Sequence, residues 1–333
     1  MNKQSTFKKL ILEGNIVECY FDSWDQFNIY FLNNILNQEE FVWRGHRKKD
    51  WTLTSTFIRN LGDKDLLFEE INAILDTQLD TFRMNCRGQS ATLEISRNNS
   101  SIYLGLENKL KFYDDKLKIL EKNIEKIKEN TEGLNSVLDF DIDQPLKSFD
   151  ELKEKLTNEL IFNNSNSNLY DEIQKIKVQY ENEWWAIGQH FGLNTPLLDW
   201  TYSMYIAAYF AFIDFDKSDT ENEDRVLIAM DKSKVVDLNV DDKITIIDSY
   251  SYNNSRLLNQ RGIFTKGPLM SSMEEWAENN DVKSLIYKFY IPENQRERIL
   301  RHLERMNIHP GTIFPDLSGV AKYTNLKSTI ENY

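Results

Sequence analysis

Residues 184–212 read WWAIGQHFGLNTPLLDWTYSMYIAAYFAF, the most apolar and aromatic stretch of the chain. Within it stand His190, Thr195, Asp199, Thr201 and a Gly-Leu-Asn-Thr-Pro turn at 192–196. Apolar walls with a few convergent polar groups are the composition of a ligand site. The second half, 202–212, reads as a core helix, too short to cross a bilayer. Asp199, Trp200 and Thr201 precede it, so aspartate or threonine there would cap the helix, and capping is the expected role of Thr201. The same N-terminus would offer free N–H groups to an anion. Asp199 has a further reading, as partner to an arginine such as Arg44 or Arg59. His190, beside Trp184 and Trp185, reads either as a general base or as a core histidine satisfied by a backbone carbonyl.

Outward from this stretch, the pattern predicts a mixed architecture. Residues 23–36 read as a helix capped by Ser23, with Phe27, Tyr30 and Phe31 on its apolar face. Phe41-Val42-Trp43 reads as a strand that Gly45 ends, and the alternation from Trp51 to Phe57 predicts a second strand. Asp63 would cap a helix reaching about Arg83. Further strands are expected at 225–231, 244–247 and 284–291, and helices at 271–280, 293–306 and 315–326. Between the two halves, Leu106, Leu110, Tyr113, Leu117, Leu120, Ile124 and Ile127 alternate spacings of four and three, a heptad stripe. It serves either an intramolecular helical hairpin or a protein partner or homodimer through 104–130. A helix is expected at about 148–162, ending in NNSNSN at 163–168. The expected fold is α+β, a mixed, mostly antiparallel sheet core flanked by helices, with an inserted long helical hairpin. The core would span 1–86 and 169–333, and the insertion 87–168.

The 333 residues carry 40 basic and 53 acidic side chains, a net charge of -13. Such a chain repels phosphate backbones, which argues against broad nucleic-acid binding but leaves room for a local basic pocket. Cys19 and Cys86 have no C-x-x-C spacing, and His46, His190, His302 and His309 are scattered. No metal site is expected. The first residues lack the apolar run of a signal peptide and no stretch reaches membrane-spanning length, so the expectation is a cytoplasmic protein without membrane contact.

Arg44, followed by Gly45, suits a phosphate or carboxylate, because its guanidinium is a planar fork that stays charged; the other reading is a surface arginine beside a turn glycine. His46, Arg47, Lys48 and Lys49 extend a basic run whose simplest reading is a solvated loop. Arg256, Gln260, Gly262 and Phe264 form a further cluster, in which Gln260 suits a ribose hydroxyl or an amide, or else a structural loop. No G-x-S-x-G, P-loop or G-x-G-x-x-G after a strand is present.

Three of these clusters together resemble the FRG domain, a family of bacterial and phage proteins named for a Phe-Arg-Gly motif. Phe41-Val42-Trp43-Arg44-Gly45 is similar to its first motif, with Trp43 in place of phenylalanine, and Trp51-Thr52-Leu53 and Arg59 fit the family's downstream tryptophan-leucine-arginine pattern. Gln189 to Leu193 and Thr195 to Thr201 resemble its second, with Asn194 where proline is usual and Pro196 where arginine is frequent. Arg256, Gln260, Gly262 and Phe264 resemble the third. The resemblance covers 20–60 and 184–326 and leaves out the insertion. A further resemblance is to ADP-ribosyltransferases. It implies NAD as a small-molecule nucleotide, with Arg44 on its pyrophosphate or ribose. Gly45, Arg59, Trp200, Arg256 and Phe264 would line the site, and Thr201 or Ser203 would lie against the nicotinamide ribose. Catalysis would fall to Arg44, His190, Asp199 and Gln260. Gln260 stands where that family has a catalytic glutamate. A neutral amide cannot stabilise an oxocarbenium-like centre as a carboxylate does, at a cost on the order of 10²–10³ in rate. Either Asp199 supplies the charge or the domain binds a nucleotide without turnover.

Overall fold

The computed structural model describes residues 9–13, 15–35, 40–62, 66–93, 178, 181–182, 184–189, 191–214, 223–235, 240, 242–248 and 255–330. The heptad stripe, the helix expected at 148–162, Asp63 and His190 lie outside them. The chain divides into two compact units, Met1–Asp80 with Trp185–Tyr333, and Thr81–Trp184. In the second, Phe82 meets Trp184 edge-on, centroids 6.0 Å apart.

The first unit is built on an eight-stranded sheet. Its strands are β1 Lys9–Glu13, β2 Ile16–Tyr20, β3 Phe41–His46, β4 Leu197–Thr201, β5 Asp224–Asp231, β6 Thr245–Ile247, β7 Gly262–Lys266 and β8 Ile286–Pro292. They lie in the order β1-β2-β8-β5-β3-β4-β7-β6. Only β2 and β8 run parallel; the other pairings are antiparallel. The fold is therefore α+β on a mixed, mostly antiparallel sheet. The hairpin β1–β2 falls where the sequence pattern predicts no element.

The helices are α1 Trp24–Asn34, α2 Thr56–Leu61, α3 Phe68–Leu93, α4 Met204–Phe212, α5 Ser255–Asn259, α6 Met273–Asn279, α7 Arg296–Arg305, α8 Pro310–Ile313 and α9 Leu317–Thr329. One core joins α1, α4, α7, α8 and α9 to the sheet through residues such as Trp24, Phe27, Phe31, Trp43, Tyr209, Phe289, Leu300 and Ile313. A second joins α6, through Met273 and Trp276, to Val42, Trp200, Ile228 and Ile286. Removing a side chain of this size from water contributes about 1.5–3 kcal/mol.

Helix α4 forms where the apolar run is densest, and Ala207, Ala208, Tyr209, Ala211 and Phe212 are all fully buried. Its N-cap is Ser203, whose hydroxyl accepts the Ile206 N–H at 3.4 Å. That corrects the capping role expected of Thr201, which is the last residue of β4. Arg296 donates Nε to Phe212 O (2.8 Å) and Nη2 to Ile213 O (2.9 Å), placing a cation on the carbonyl end of the helix.

Two other expectations are corrected. Strand β3 does not end at Gly45 but runs through His46. A Cβ on Gly45 would lie 2.1 Å from Ala207 O and 2.6 Å from Ala211 N, so this glycine lets the strand press against the α4 backbone. Residues 51–57 are not a strand. Leu53, Ser55 and Phe57 are buried in alternation, as their pattern implies, but among the described residues no strand pairs with them. Leu53 N–H donates to the Glu274 carboxylate at 2.9 Å, Leu53 O accepts from Met273 N, and Ser55 then caps α2.

Candidate functional site

Strands β3 and β4 are joined by a single pairing, Trp43 with Thr201. Beyond it they part, and a cleft of about 400 Å³ opens there. Its walls come from Trp43, Arg44 and Gly45 of β3, and Asp199, Trp200 and Thr201 of β4. Ala207 and Phe210 of α4, Arg256, Leu257 and Gln260 in and just after α5, Gly262 and Phe264 of β7, Ala186, Gln189 and Phe314 complete them.

Arg44 spans the gap between the strands. Its Nη1 donates to Asp199 O at 2.7 Å and lies 3.8 Å from Asp199 Oδ2, while Nε donates to His46 Nε2 at 3.0 Å. The side chain replaces the ladder bond that the parting strands do not make. It is 20% exposed, against 63% for Asp199. Burial lowers the Arg44 guanidinium from its usual value, and the Asp199 carboxylate opposes that shift. Its Nη2 has no partner among the described residues.

The solvated loop expected at 46–49 does not hold for His46. It is 4% exposed and faces Trp51 edge-on, centroids 5.9 Å apart. Burial, with the Arg44 and Lys288 charges, pushes it down to about 3, and a backbone hydrogen bond at Trp51 pulls the other way. It is neutral at pH 7. The strand period carried the signal: Val42, Arg44 and His46 share one face of β3.

The far wall is carried by α5 and the helices beyond it. Arg256 lies over Phe314 at 4.7 Å and reaches Asp316 at 3.4 Å. Phe314 meets Phe210 edge-on, with centroids 6.2 Å apart. Asp316 caps α9, and the Ser318 hydroxyl and the Gly319 N–H hold its carboxyl below the usual range. Asn259 Nδ2 donates to Thr312 O at 2.8 Å, tying α5 to α8. Thr201 Oγ1 donates to Gln260 O (2.7 Å) and accepts from Ser203 N (3.0 Å), so its hydroxyl is committed to holding Gln260 and the start of α4. The Gln260 carboxamide has no partner among the described residues.

Residues 184–189, which bring Ala186 and Gln189 to the cleft, are helical, and Gly192 has a φ of 87° that suits glycine. The Leu193 N–H bonds back to Gly188 O at 2.8 Å. The Gln189 Oε1 accepts from the Thr195 hydroxyl, which itself accepts from Leu197 N.

The cleft thus gathers Arg44, Gly45, Asp199, Trp200, Thr201, Arg256, Gln260 and Phe264. Arg59 and Ser203 are not on its walls. Arg59 is turned onto Thr54 O and Thr56 Oγ1, and Ser203 is occupied as the cap of α4. The indole of Trp200 belongs to the second core, where Nε1 donates to Thr265 Oγ1 at 3.0 Å. Among the described residues no group of three or more His, Cys, Asp or Glu side chains is placed to hold a metal ion, and no helix is long and apolar enough to cross a membrane.

This arrangement defines an α+β protein with a cationic, aromatic-walled cleft at a parting of its sheet. The sequence model of the FRG domain family matches residues 120–220, which supports placing the chain with that family. The matched range contains the motif at 189–201. It also enters the insertion that the resemblance was expected to leave out, and it does not reach 41–59 or 256–264. No curated protein and no solved structure matches the chain.

Proposed function

We propose that the cleft binds a nucleotide, NAD being the one the resemblance favours, and that it supports ADP-ribosyl transfer or NAD glycohydrolysis in a toxin or anti-phage setting. The observation that carries this reading is the presence of Arg44, whose Nη2 has no partner among the described residues, and Arg256 on the walls of one cleft beside Phe210 and Phe314. Guanidinium groups suit a pyrophosphate, and aromatic rings suit a base. A volume of about 400 Å³ falls within the range of small-molecule sites.

In the chemical step, the bond from the ribose anomeric carbon to the nicotinamide nitrogen breaks. Water or an acceptor nucleophile takes the carbon. The developing positive charge needs a carboxylate close by. Asp199 is the one carboxylate on the described walls, and Gln260 is neutral. Asp199 is therefore assigned the electrostatic role, and Gln260 the positioning of a ribose hydroxyl.

Because Asp199 is already drawn to Arg44, a second reading keeps the same ligand without turnover, as a sensing module. Calorimetry with NAD and ADP-ribose tests the binding. Arg44→Ala is expected to weaken it about a hundred-fold, as for a lost charge-assisted contact. Binding unchanged by that substitution, or no binding by the native chain, overturns the proposal. Incubation of labelled NAD with lysate separates turnover from sensing: transferred label or free nicotinamide supports the enzyme, and NAD recovered intact supports the sensor.

A further inference from the structure

We infer that His46 is the positioning residue for Arg44: by holding Nε it fixes which edge of the guanidinium meets the cleft and confines a bound anion to the Nη2 end. The inference rests on the reading of the cleft as a nucleotide site and deepens it.

An arginine offers an oxyanion two forks, one through Nε and Nη2, the other through Nη1 and Nη2. Here the first is closed, because Nε donates to His46 Nε2 at 3.0 Å. The second is half occupied, because Nη1 donates to Asp199 O at 2.7 Å. What remains for a ligand is the Nη2 corner. The plane of the guanidinium is thereby set by two anchors on two different strands, His46 on β3 and Asp199 on β4.

His46 is suited to the task. An imidazole that accepts at Nε2 carries its proton on Nδ1, and a backbone hydrogen bond at Trp51 faces this ring. The ring is 4% exposed, with Trp51 edge-on to it and Arg47 over Trp51 at 5.8 Å. It can neither rotate freely nor gain a proton cheaply. A solvated side chain at 46 would leave Arg44 free to swing toward Asp199 and present the Nε edge instead. A lysine at 44 could not substitute, since one ammonium cannot reach both anchors in a fixed plane.

The full chain, labelled with ¹⁵N, gives two readouts. The first needs no ligand: the Arg44 Nε–H resonance. In His46→Phe it is expected to lose its protection from solvent exchange, and in His46→Gln, whose carboxamide oxygen can accept in the same place, to keep it. The second is NAD affinity by calorimetry. His46→Phe should weaken it about ten-fold and His46→Gln by no more than about three-fold, while on an Arg44→Ala background His46→Phe should cost nothing further. An Arg44 Nε–H unaffected by His46→Phe, or a further loss on the Arg44→Ala background, overturns the inference. If Arg44→Ala itself binds NAD normally, the nucleotide reading fails instead, and the resonance still decides whether His46 holds Arg44.

Discussion

The two faces of β3 do different work. Phe41, Trp43 and Gly45 turn to the larger core: Trp43 packs on Phe31 and Phe289, both with centroids 5.7 Å away, and Gly45 admits the backbone of α4. Val42, Arg44 and His46 turn the other way, and from that face Arg44 reaches across the parting of the sheet to Asp199. Adjacent side chains of one strand thus enter different surroundings, because the side-chain period of a strand is two, although Trp43 and Gly45 also border the cleft. Substitution at Gly45 should therefore show first in stability, and substitution at Arg44 first in ligand affinity.

The sharpest way to break that division is at Gly45. Any Cβ there meets main-chain atoms of a buried helix, which cannot yield as a flexible side chain can. Gly45→Val is expected to destabilise by about 3 kcal/mol or more, at the upper end of overpacking costs, read as a lowered midpoint in urea. If it melts like the native chain, the strand does not press on α4 as described.

The opposite face should answer to pH. His46 is pushed down to about 3 in the folded chain, against an unfolded value near 6.5. The unfolded state therefore binds a proton that the folded state refuses. The contribution is fully present above about pH 6.5 and is lost as pH falls toward 3, with a slope of at most about 1.4 kcal/mol per pH unit from this group. His46→Gln should flatten that part of the curve; an identical acid profile in the variant would remove His46 as its source.

The smallest effect is expected at Ser203, which adjoins the cleft in sequence but serves the helix. Ser203→Ala should lower stability by about 1 kcal/mol, the ordinary worth of an N-cap, and leave NAD affinity as it was. A loss of affinity instead would move Ser203 to the site side of the division.

Much of the framework is legible in the chain. Ser23 before an aromatic run, the apolar strand at 225–231 and the Ser272-capped helix all stand close to where the pattern puts them. Residues 51–57 show why the rest is not. Alternation reports which side chains turn inward, and it does so correctly for Leu53, Ser55 and Phe57. It cannot report whether another strand lies alongside, and here a carboxylate on α6 takes the place of a ladder. Thr201 departs from its expected role for a similar reason, since two hydroxyl residues two apart compete to cap one helix and only packing decides between them. At the site, residue types mark Arg44, Asp199 and Gln260. His46 is hidden among Arg47, Lys48 and Lys49, whose charge suggests solvent, although the strand carries it inward.

The position of β8 has a consequence for how the chain comes together. It is the last strand in sequence, yet it lies inside the sheet, with β2 on one side and β5 on the other. The hairpin β1–β2 therefore has no route into the sheet until residues 286–292 have left the ribosome. During synthesis the open edges of β2 and β5 wait unpaired, in a state that invites association with other strands. Strand β8 joins segments far apart in sequence, and contacts of such long separation slow assembly.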